Sequence, residues 1–351
     1  MKLILTFLII IIKTVSFCQS INGVYPLENL SANKILNNLD LDEIDVIVLG
    51  EHEHGNKKII NLYQDLIRII NKNHGFDILI IESDFLSLYE SSNNNNNANL
   101  KPQENIHKGW IEDESFQSLL EHIETNKMEI YGFDSRLHGA YSKNELEKYL
   151  FNNWPLSLFS ESEKTKYFNL TNRLLKLEFK DTSSINELDS YIKLNKKWLT
   201  SLNDNSKLKR SLNSIINYTQ QIKIEKSSEY EYVELREMNM IENINQLLNT
   251  TLSGKKVIIW GHNVHVQPGA TQLSKHASKN IGDFIKKRDN INSLSINTCS
   301  FNHINNPLKK KLNKMNFGLI NLNKLDDYTE FFKWSKNINP NEFGDYLILM
   351  K

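Results

Sequence analysis

Cysteine is nearly absent: only Cys18 and Cys299 occur in 351 residues. With Cys18 at the edge of an N-terminal leader, no internal disulfide is expected and the fold must rest on its core. Cys299 sits in an alternating, strand-like stretch and reads as a buried structural thiol rather than a nucleophile. Excess charge is absent as well, with 42 Lys and Arg against 42 Asp and Glu. Nucleic-acid and anionic-membrane binders draw on accumulated positive charge, so neither partner is expected. The one dense basic run, Lys309-Lys310-Lys311, reads as a solvated turn. No apolar run reaches the ~20 residues that a membrane-crossing helix needs. A Gly-x-Ser-x-Gly elbow is missing, which leaves a covalent serine route without support, and the absence of a His-Glu-x-x-His helix counts against a zinc-peptidase site.

What is present begins with a leader. Lys2 precedes an apolar stretch from Leu3 to Ile12, and Lys13 and polar residues close it. This is the pattern of a secretory signal, with cleavage expected between Cys18 and Gln19 and an exported mature protein of residues 19–351. Lipid attachment at Cys18 is the alternative, disfavoured by the bulky Phe17 before it.

Downstream, Ile44–Leu49 is strand-like, with an apolar run from Val46 to Leu49. Ile59, Leu62, Tyr63, Leu66, Ile69 and Ile70 then recur at helical spacing until Gly75. Ile78–Ile81 forms a second apolar run ending at Glu82, so the unit reads as β-α-β with parallel strands. An asparagine-rich loop at 91–103, a helix at Phe116–Thr125 and a strand at Met128–Phe133 follow. From about residue 144 to 248 the chain is rich in Leu, Ile, Lys, Glu and Asn at helical spacing, which predicts a helical insertion. Strands resume at Lys256–Trp260, Ser293–Thr298, Gly318–Leu322 and Asp345–Met350, the last placing the C-terminus inside the sheet. The fold class is therefore α/β: a mostly parallel central sheet flanked by helices, with a large helical insertion.

Four strand ends carry polar groups: Glu51 and His54, then Glu82, then Asp134 with Arg136, then His262 and His265. Parallel strands deliver their C-terminal ends to one edge, so groups far apart in sequence converge there. A histidine beside a carboxylate is a general-base pair, and a second histidine can stabilise an oxyanion or protonate a leaving group. A divalent metal competes with that reading. His52-x-His54 and His262-x-x-His265 look like ligand pairs, and in an extended segment His52 and His54 face one side.

At these residues the sequence resembles the erythromycin esterase family. Gly50, Glu51, His54 and Gly55 match its Gly-Glu-x-x-His-Gly signature, Glu82 its second-strand glutamate, and Gly132-Phe133-Asp134 its Gly-x-Asp. Arg236-Glu237-Met238-Asn239-Met240-Ile241-Glu242-Asn243 matches its helical motif, and Trp260-Gly261-His262-Asn263-Val264-His265 its closing motif. The resemblance implies ester or lactone hydrolysis of a small-molecule substrate, by water activated at Glu51 and His54. Glu82 and His262 are implied as further catalytic residues, and His265, Arg236 and Asp134 as supporting ones. Arg236, Met240 and Asn243 share one helix face, where Arg236 serves either a carboxylate substrate or a buried ion pair. Related sheets with this placement of Glu and His are associated with metal-dependent peptidases and with haem-like ligands. A metallohydrolase or a non-catalytic binding protein therefore stays open beside the metal-free esterase.

Overall fold

The computed structural model describes residues 23–93, 102–179, 184–202, 206–273, 277–304, 309–310, 312, 315–325 and 340–351. The leader with Cys18, most of the asparagine-rich stretch and Lys311 lie outside these residues. Eight strands form one sheet: β1 (Val24–Leu27), β2 (Val46–Glu51), β3 (Ile78–Asp84), β4 (Glu129–Asp134), β5 (Val257–His262), β6 (Ser293–Ser300), β7 (Phe317–Asn321) and β8 (Tyr346–Met350). Their order is β1-β7-β8-β6-β2-β5-β3-β4. Every pair from β8 to β4 is parallel, and β7 runs antiparallel to both β1 and β8. β8 is paired on both sides, so the C-terminus is indeed an interior strand. β1 escapes a sequence reading because it is a four-residue edge strand with Pro26 inside it.

The central strands are unbroken apolar runs because both of their faces are covered. Ile47, Leu49, Ile258 and Trp260 face one layer, built on helices Lys57–His74 and Glu114–Thr125. Val46, Val48, Val257 and Ile259 face the other, built on helices Glu229–Asn249 and Ile281–Lys286. Asn56 caps the first of these helices by accepting from Lys58 N, and Gly75, in the left-handed region at φ 71°, ends it.

A second, separate core is aromatic and helical. Trp154, Phe159, Tyr167, Tyr191 and Trp198 pack with apolar residues of helices Glu161–Leu175, Ile185–Thr200 and Ser206–Glu225. This unit is pinned to the strand ends by polar contacts, with Gln221 Nε2 donating to Ser135 Oγ at 2.7 Å. Arg210 and Lys207 meet the buried Glu90 at 3.0 and 2.8 Å. Cys299 is buried among Phe301, Leu347 and Leu349, and burial pushes its thiol up to about 12. No helix among the described residues is long and apolar enough to cross a membrane.

Candidate active site

β2 and β5 are neighbours whose outgoing connections leave for opposite faces of the sheet. The chain from β2 continues to β3 through the Lys57–His74 helix, and that from β5 continues to β6 past the Ile281–Lys286 helix. Such a switch point opens a crevice at the C-terminal strand ends. Glu51 and His262 stand there in register, opposite one another on β2 and β5.

After Glu51 the chain turns instead of continuing as a strand, and Gly55 at φ 72° completes the turn. The turn swings His54 back onto Glu51, with Nδ1 2.6 Å from Oε1. A carboxylate on Nδ1 fixes the proton there and leaves Nε2 as the basic nitrogen. The Glu51 side chain is fully buried while that of His54 is 53% exposed, so the pair runs from the core to the crevice. Burial raises the Glu51 carboxyl above its ordinary value against the pull of His54. The hydrogen bond to Glu51 raises His54.

Gly50 makes this placement possible. A Cβ there would run into Oδ1 of both Asn297 and Asn263, buried oxygens without a hydrogen-bond partner. Its carbonyl is held by Tyr63 Oη at 2.6 Å and Thr298 Oγ1 at 3.2 Å. Gly50→Ala is therefore expected to destabilise the fold by about 1–3 kcal/mol through overpacking. Urea melts check the stability, and any hydrolytic rate should fall with the displacement of Glu51.

His262 lies 4.7 Å from His54 between ring centroids. Its Nδ1 accepts from Val264 N at 3.3 Å, which assigns the proton of the neutral ring to Nε2. Burial, followed by the charge on His54, lowers His262 to about 4, with Glu82 and then the His52 main chain working the other way. A half-buried neutral imidazole beside a basic one is a hydrogen-bond donor rather than a second base.

The remaining predicted residues form a closed ionic cluster one strand away. Register in β3 shifts between Ile81 and Asp84. Glu82, two residues after Ile80, lies on the face covered by the Glu229–Asn249 helix that carries Arg236. Glu82 Oε2 accepts from His262 N at 3.1 Å, while Oε1 meets His265 Nε2 at 3.3 Å and Arg236 Nη2 at 3.2 Å. His265 Nδ1 is bonded to Glu237. Asp134, fully buried, takes Arg236 at 3.0 Å and Arg136 at 2.6 Å. Burial opposes ionisation of Glu82, but His265 and then Arg236 outweigh it and hold the carboxyl well below the usual range. Asp134 is likewise held far down, by Arg236 and then Arg136 against burial. Burial disfavours charge on His265, yet Glu82 and Glu237 raise it to about 9. Three cations thus face three carboxylates. The 3.4 Å approach of Arg236 Nη1 to His265 Nε2 is then a contact between two donors, tolerated because Glu82 lies against both.

All seven residues singled out in the sequence meet at this edge, in two groups. His54 and His262 face the open crevice with Glu51 buried behind His54, while Glu82, Asp134, Arg236 and His265 are locked together beside them. Glu237 escaped notice as a site residue, although it is next to Arg236 in the motif. Side chains at i and i+1 diverge on a helix, and here one reaches Asp134 and Glu82 while the other reaches His265. The expected partnership of His52 with His54 is absent because the segment is a turn. His52 Nδ1 sits on Thr298 Oγ1 at 3.0 Å, away from His54. Among the described residues no three His, Cys, Asp or Glu side chains are grouped to hold a metal ion.

Fold and site together define an α/β protein with a histidine–carboxylate crevice at the switch point of a mostly parallel sheet. The erythromycin esterase family profile matches residues 71–302, more than half of the chain, and the chain belongs to that family. The matched span holds Glu82, Asp134, Arg236, His262 and His265; Glu51 and His54 precede it and are tied to it by the register of β2 with β5. Among solved structures, a succinoglycan biosynthesis protein is similar at TM-score 0.70 and 15% identity, over 97% of this chain and 96% of that one. A Bacillus cereus protein is similar at TM-score 0.70 and 15% identity, over 96% of each chain. A mutant of the erythromycin esterase EreC in its open conformation is similar at TM-score 0.64 and 13% identity, over 93% and 97%. At these identities the likeness is one of fold. No curated protein sequence matches this one.

Proposed function

We propose that the protein is a hydrolase that cleaves a carboxylic ester or lactone by direct attack of activated water. His54 Nε2 removes a proton from water in the crevice, and the hydroxide adds to the substrate carbonyl. Glu51 stabilises the imidazolium that results. His262 Nε2–H donates to the oxyanion that develops. Collapse of the tetrahedral intermediate breaks the bond to the alcohol oxygen, which takes the proton back from His54. Glu82 acts here as a positioning residue: both of its oxygens are engaged, one on the His262 main chain. The observation that carries this reading is the 2.6 Å contact between a fully buried Glu51 and a half-exposed His54, beside a neutral His262. Membership of the erythromycin esterase family supports esters and lactones as the substrate class.

The test is a screen of the purified protein against model esters, simple lactones and macrolides, with and without chelator. Turnover insensitive to chelation is expected. Activity lost to chelation and restored by a stoichiometric transition metal would replace this reading by a metallohydrolase. No turnover together with a tightly co-purifying planar ligand would replace it by a binding protein.

A further inference from the structure

The hydrolytic reading leaves one buried polar lattice without a task. Ser83, Asp84, Ser87, Asn105 and Ser142 are fully buried, the first two at the end of β3 and the others in the segments that follow β3 and β4. Ser83 Oγ donates to Asn105 O and accepts from His107 N, each at 3.0 Å. Asn105 Oδ1 accepts from Tyr141 N at 2.8 Å. Asp84 accepts from Gly139 N at 2.9 Å, and Ser87 joins Asp84 to Ser142 at 2.8 Å on each side. Burying this many polar groups gains little net stability, but a satisfied network fixes geometry. What it fixes is the approach of two loops, one carrying His107 and the other Arg136 and His138.

The groups left unspent on these loops include hydrogen-bond donors. His107 and His138 meet edge to face with ring centroids 5.6 Å apart. His107 Nδ1 accepts from Gly109 N at 3.2 Å, which assigns the proton of its neutral ring to Nε2. His138 Nε2 is buried with no hydrogen-bond partner. Leaving such a group unpaired is costly unless a ligand completes it. Arg136 spends Nε and Nη2 on Asp134 and keeps 37% of its side chain exposed, with guanidinium donors to spare. The neighbouring carboxylates are already matched by cations, so an incoming anion meets no net negative charge.

We propose that His107, His138 and Arg136 form an oxyanion subsite beside the His54–His262 centre, selecting ester substrates that carry a second carboxylate or a phosphate. β3 and β4 lie two and three strands from β2, so the subsite is on the order of 10 Å from the reacting carbonyl. A monoester of a medium-length dicarboxylic acid, or an ester bearing a phosphate at that distance, spans the gap. The assignment rests on the hydrolytic reading for its substrate class, but its binding step does not need turnover.

Calorimetric titration of the His54→Ala protein with glutarate and with inorganic phosphate separates the two. Saturable binding of one anion is expected, weakened about tenfold or more by His107→Gln and by His138→Gln. The tighter anion names the group that the substrate carries. In the parent enzyme, kcat/KM for an anionic ester should exceed that for its neutral analogue about tenfold or more, and the ratio should approach one in both variants. His107 is exposed, so its variant should keep the urea melt of the parent and isolate binding from folding. No saturable binding of either anion overturns the subsite, as does binding untouched by both variants or a parent ratio near one. Anion binding without any ester hydrolysis upholds the subsite and removes the hydrolytic reading instead.

Discussion

Replacing His54 by alanine is expected to lower turnover by about 10²–10⁴-fold or more while leaving the native fold intact by circular dichroism. The side chain is half exposed and contributes its one strong contact to Glu51, so its loss removes the base without opening the core. Glu51→Gln tests the same unit from below: the ring stays in place but loses the charge that stabilises its protonated form. The pH profile carries a sign. The base form of His54 exists only above its pKa, and the hydrogen bond to Glu51 raises that pKa above the ordinary 6.5. The value of kcat/KM should therefore climb with pH through a midpoint above 6.5, and Glu51→Gln should move that midpoint down. His262, lowered to about 4, stays neutral across this range and should add no second inflection near neutrality. Near-normal hydrolysis by the His54→Ala protein would remove the assignment of the base.

The convergence of this site was legible because it rests on two strong regularities. β2, β3, β4 and β5 are covered on both faces and so read as plain apolar runs, and parallel strands place their polar ends together. What stayed hidden depends on departures from regularity. The turn at His52–Gly55 cannot be told from an extended strand end by residue type, and treating it as extended made His52 and His54 look like a ligand pair. Glu82 joins the ionic cluster because the helix that carries Arg236 covers its face of β3, a contact between segments far apart in sequence. The reversed direction of β7 follows from its partners β1 and β8 rather than from its own residues. His107 and His138 belong to no motif, because a lattice of small buried polar side chains distant in sequence brings them together.

The ionic cluster should carry stability rather than chemistry, and Arg236→Met is its sharpest test. Asp134 is fully buried and Glu82 nearly so, and Arg236 touches both with a side chain only 14% exposed. Removing it leaves two buried carboxylates short of a counter-charge, which is expected to cost about 3–5 kcal/mol in equilibrium urea unfolding. Adding Asp134→Asn to Arg236→Met should recover part of that loss, because the double variant no longer buries the unmatched charge. A direct role for Arg236 in substrate binding predicts the opposite pattern, with an unchanged melt and a raised KM. The pH dependence follows from the same charges. His265 is raised to about 9, so its contribution is fully present below its ordinary 6.5 and is lost as pH rises through about 9. Glu82 and Asp134 are lowered, so theirs is present above their ordinary values of 4.5 and 3.8 and is lost only in strong acid. The parent should hold a plateau between these limits. In Arg236→Met the acid limb should move upward, because the carboxylates lose the cation that keeps them ionised, while His265 still fixes the alkaline limb.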